Sequence, residues 1–193
     1  MAAKFGLAEK EIFIGSVLLM ICALFYLAWW INAFRPLKQG DILKDTVLLL
    51  AAAAFGIAAV IMTIKGIKAS SGTMSLFPQE RIVVDGVAVY IVLLLITKHL
   101  FKRPVTSELI LFVAWAALEL SAANALYGSG FIGFHGMAAV VITVICAFAV
   151  SLVCYVLYYK LSKGAGYTDG MIPLIAVAAE MAFIAVLIFV KAR

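Results

Sequence analysis

Six apolar stretches separated by short polar breaks run the length of the chain, at residues 12–34, 45–64, 82–97, 106–127, 137–161 and 169–190. An α-helix rises about 1.5 Å per residue and a bilayer's hydrocarbon core is roughly 30 Å thick, so these stretches predict membrane-crossing helices. The breaks carry the residues that suit a membrane surface. Trp29, Trp30, Asn32, Arg35 and Pro36 close the first stretch, and Lys98, His99, Lys102 and Arg103 close the third. Tyr155, Tyr158, Tyr159 and Lys160 close the fifth. Aromatic rings and snorkelling cations settle at the level of the headgroups.

The first stretch is too long for the apolar core of a signal peptide, and no small-residue cleavage site follows it, so it reads as an uncleaved helix. In the second, Ala52 and Gly56, and likewise Ala54 and Ala58, stand four apart. That spacing lets another helix approach closely. The connection over 65–81 is the longest polar one and is broken by Pro78. It reads as a loop, or as an interfacial segment built on Met74, Leu76 and Phe77. Pro104 ends the third helix, and Thr106 and Ser107 can cap the fourth.

Composition excludes a soluble domain. Hydrophobic residues make up 66% of 193 and charged residues 13%, and the mean hydropathy is +1.17. The expected fold is an all-α integral membrane protein, a single domain of six transmembrane helices with short loops, placed as a multi-pass protein in the cell membrane. The net charge of +5 lies at helix ends, where it meets lipid headgroups, and does not suggest nucleic acid. Cys22, Cys146 and Cys154 all fall inside apolar stretches, without a disulfide or metal spacing, and read as small packing residues.

Basic residues divide almost evenly between the two faces. The short connections contrast more: 98–103 is densely basic and 127–136 has no lysine or arginine, which favours both termini outside. Such balance also suits two inverted three-helix halves. Asp85-Gly86 and Asp169-Gly170, and Ala54-Phe55 and Ala147-Phe148, are matches compatible with that plan.

Candidate chemistry lies in four acids. Glu108 and Glu119 are eleven residues apart, as are Asp169 and Glu180. Eleven residues turn about 1100°, roughly 20° past three full turns, so each pair shares a helix face. Both helices enter from the same side, placing Glu108 and Asp169 at one mouth and Glu119 and Glu180 at mid-depth. Acids in a first turn satisfy free amides and the helix dipole, which accounts for Glu108 and Asp169 without a site. A mid-membrane carboxylate is costly, and it serves either to bond helices together or to bind a proton, a cation or a polar substrate. If Glu119 and Glu180 face each other, desolvation and mutual repulsion favour a shared proton, as proton coupling requires.

Trp115, one turn before Glu119, and Asn124, just after it, complete the expected binding set. Trp30, Asn32 and His135, the last in the glycine-rich turn GSGFIGFHG, join Glu108 and Asp169 as mouth or gate residues. His99 belongs to the basic cluster and reads as a headgroup contact. Two distant histidines do not suit a haem or metal centre, and HExxH, a P-loop and GxSxG are all absent. No cofactor or enzyme chemistry is expected. The pattern implies a carrier of a small molecule or ion. A passive channel and a non-catalytic membrane subunit are the alternatives, and a homo-oligomer is compatible with any of them.

Overall fold

The computed structural model describes residues 6–34, 42–70, 78–99, 107–158, 161 and 163–193. Six α-helices carry them: α1 (Leu7–Ala33), α2 (Ile42–Ala69), α3 (Gln79–His99), α4 (Ser107–Gly128), α5 (Phe134–Leu157) and α6 (Lys163–Ala192). All six are long and apolar enough to cross a membrane, so the fold is that of a six-helix membrane protein. Met74, Leu76, Phe77, Pro104 and Thr106 lie outside the described residues, as does the side chain of Ser107.

α1, α2, α3 and α6 are longer than their apolar runs, and two shifts of helix start matter. α6 begins at Lys163, so Asp169 and Pro173 lie inside the helix and not in its first turn. The capping account of Asp169 therefore fails. α5 begins at Phe134, which puts His135 in a first turn and not in the preceding loop.

Helix pairing forms a ring. α1 packs along α2 and α6, α5 packs along α6 and α4, and α4 closes the circle against α2 through its thinnest seam. α3 packs mainly on α4, from outside. The two halves are packed differently, since α5 lines α6 while α2 and α3 form no comparable seam. Asp85 is exposed beside Arg81, whereas its proposed counterpart Asp169 is buried.

The α1–α2 seam explains why small residues recur there. Gly15 lies against Ala59 and Thr63, and Gly66 against Ala8 and Ile12. A β-carbon on Gly66 would meet the Ala8 carbonyl oxygen at 2.8 Å and the Ile12 nitrogen at 2.9 Å. Ala52 and Gly56 belong to the same stripe, while Ala54 faces outward, so only one of the two expected small pairs packs inward. Phe25 and Phe55 stack across the seam with centroids 5.4 Å apart.

The connection from α4 to α5 closes tightly. Gly130 takes φ +73, the Phe131 N–H reaches the Leu126 carbonyl at 3.0 Å, and the Gly130 N–H reaches the Tyr127 carbonyl at 2.9 Å. This is a Schellman end, which favours glycine at its left-handed position. Beyond it, Phe131, Ile132, Met137, Val140 and Val144 join Leu126, Ile184 and Ile188 in the main core. The half of the bundle towards Gly130 is therefore filled with side chains.

Candidate functional site

The other half holds a cavity of about 770 Å³. α1 contributes Leu19, Cys22, Ala23, Tyr26 and Trp30, and α2 contributes Ala52, Gly56 and their neighbours. Leu111, Trp115 and Leu118 come from α4, Cys154, Tyr155 and Tyr158 from the end of α5, and Asp169, Gly170, Pro173 and Val177 from α6.

Asp169 marks the polar end. It is 8% exposed, forms a hydrogen bond with the Cys154 thiol, and has one oxygen, Oδ2, with no hydrogen-bond partner. Pro173 has no N–H to donate to the Asp169 carbonyl four residues earlier, so the helix is locally weakened at this acid. Gly170 brings α6 against Trp30, since a β-carbon there would collide with the indole ring. The Trp30 Nε1–H donates to the Tyr167 carbonyl at 3.0 Å, and its ring meets Tyr158 at 5.8 Å and Phe34 at 4.4 Å. Trp30 is thus a packed wall of the cavity.

At mid-depth the cavity ends on Trp115, Leu118 and Val177. Glu119 follows Leu118 directly, one turn after Trp115, and Glu180 lies one turn beyond Val177, so along their helices both acids stand about a turn past that floor. Glu119 is 1% exposed and neither carboxyl oxygen has a hydrogen-bond partner among the described residues. Glu180 is 4% exposed; its Oε1 accepts from the Thr143 hydroxyl at 3.1 Å, and its Oε2 has no partner. The two are close enough for their charges to interact. The buried Trp115 Nε1–H also lacks a partner among the described residues. Buried polar groups in folded proteins are nearly always satisfied, so these four unpaired atoms make the mid-span acids the candidate site.

The remaining sequence candidates scatter. Asn124 is fully buried in the packed half, beyond Glu119. Asn32 donates to the Asp45 carboxylate at 2.5 Å and is not on the cavity wall. His135 is exposed at the Gly130 end, its ring 6.1 Å from that of Phe134, far along the bundle from Asp169. Glu108 falls in the first turn of α4, and its side chain lies outside the described residues. Thr143, Gly170 and the bonding role of Cys154 were not legible in the sequence, because each depends on which helix faces which. Among the described residues no three His, Cys, Asp or Glu side chains gather as a metal site would need. No family model, curated protein or solved structure matches the chain.

Proposed function

We propose that this chain is a carrier of a small solute in the cell membrane, coupled to protons through Glu119 and Glu180. The observation that carries the reading is the pair of mid-span carboxyls, buried, interacting and largely unpaired, about one helical turn past residues that line a cavity. A carboxyl in hydrocarbon is expensive, and a proton is the ligand that relieves its charge without further space. Trp115 lines the cavity and shares a face of α4 with Glu119, one turn away. Occupancy of the cavity can therefore be felt at the proton site through one side chain.

The arrangement suits alternating access better than an open channel. The cavity occupies one half of the bundle, and tightly packed apolar side chains fill the other. A carrier holds its solute from one side at a time, with binding residues near the midplane. The test is proton-linked solute flux in proteoliposomes. The parent is expected to couple the two, and Glu119→Gln, which keeps the size but not the titratable proton, to lose the coupling. Coupled flux at the parent rate in Glu119→Gln would overturn the reading.

A further inference from the structure

The cavity's opening and its polar end together restrict what it can hold. Each exposed residue on its wall belongs to α2 or α4, among them Leu49, Ile57, Ile61 and Leu111. The wall residues from α1, α5 and α6 are buried or half-buried. The cavity therefore opens sideways at the α2–α4 seam, onto the face that meets lipid.

Its wall is mostly apolar, so a hydrated inorganic ion entering it would shed water without replacement ligands. An apolar molecule would fill the space well, since small-molecule sites typically enclose about 300–1,000 Å³ and are lined by hydrophobic and aromatic groups. Neutral hydrocarbon does not account for Asp169. Asp169 lines the cavity, its Oδ2 is buried without a hydrogen-bond partner among the described residues, and it forms no salt bridge with any of them. Beside it, Trp30 and Tyr158 meet at 64°, making an aromatic corner whose ring faces attract positive charge. Gly170 holds the indole there by having no β-carbon.

We propose that the cavity binds a lipophilic organic cation, an amine or quaternary onium with apolar substituents, received from the bilayer between α2 and α4. Asp169 is its counter-ion and Trp30 and Tyr158 are its aromatic wall. This names the substrate class of the carrier reading and rests on it for transport, though binding is measurable alone.

The experiment is equilibrium binding to the purified full chain in detergent, with tetraphenylphosphonium as probe and tetraphenylborate as its anionic near-isostere. The parent is expected to bind the cation and not the anion. Asp169→Asn, which removes the charge and keeps the shape, is expected to weaken cation binding by about tenfold or more, as loss of a buried charge partner does. Asp85→Asn, which removes an exposed acid on α3 away from the cavity wall, is expected to bind the cation like the parent. Equal binding of the two probes, no binding of the cation, or undiminished binding by Asp169→Asn would each overturn the proposal. If Asp169→Asn does not fold, the comparison of cation and anion on the parent decides. Binding without proton-linked flux would refute the carrier reading and leave the cation site standing. Coupled flux of other solutes without cation binding would do the reverse.

Discussion

Replacing Glu119 by methionine separates a site from a structural bond. The side chain is 1% exposed and both carboxyl oxygens lack hydrogen-bond partners. A buried polar group left unsatisfied costs about 1–3 kcal/mol. Methionine keeps the length, removes both oxygens and adapts to irregular space, while the mismatch in shape costs less than about 1.5 kcal/mol. Glu119→Met should therefore stabilise the protein by about 1 kcal/mol or more. Glu180→Met should gain less, because it also loses the Thr143 bond at 3.1 Å, worth about 0.6 kcal/mol between membrane helices. The assay is reversible unfolding by SDS in mixed micelles, followed by tryptophan fluorescence. A Glu119→Met protein destabilised by more than about 1 kcal/mol would show that the carboxyl holds helices together, and the argument from unpaired burial would fail. Raised stability with lost function is the mark of a site retained at the expense of the fold.

Other consequences follow from the packing. Gly66→Ala should destabilise by about 1–3 kcal/mol in the same assay, because its β-carbon meets backbone atoms of α1 that cannot move aside; parent-like stability would contradict the α1–α2 seam. Gly170→Ala should displace Trp30 and break its bond to the Tyr167 carbonyl, changing the tryptophan emission as well as lowering stability; an unchanged spectrum would contradict the placement of Trp30. In a cysteine-free background, cysteines at His99 and Ser129 should label from opposite faces of the membrane, and labelling from the same face would contradict the six-span topology.

The spans were legible because length and hydropathy alone decide what crosses a bilayer. The mid-span acids were legible too, since a carboxyl among apolar neighbours stands out by its cost. Helix starts were less so. Lys163, Gly164 and Gly166 resemble a loop, yet α6 begins at Lys163, and that shift moves Asp169 from a capping position to a cavity wall. The ring itself could not be read. These helices are apolar nearly all round, because lipid and protein interiors favour the same side chains, so no polar face shows which neighbour each one meets. Cys154 illustrates this: its apolar surroundings in sequence suggested packing, but α5 and α6 bring its thiol to Asp169.

The central claim, that Glu119 and Glu180 link a cavity to protons, is tested most directly by internal pH in proteoliposomes. Gradients of a panel of small solutes, organic cations included, are applied to the parent and to Glu119→Gln. At least one solute should move protons through the parent, and none should through the variant although it folds. A solute that crosses equally in both without any change in internal pH would contradict the account and make the chain a passive channel. No flux for any solute in either would contradict it as well, leaving the buried acids as bonds between helices.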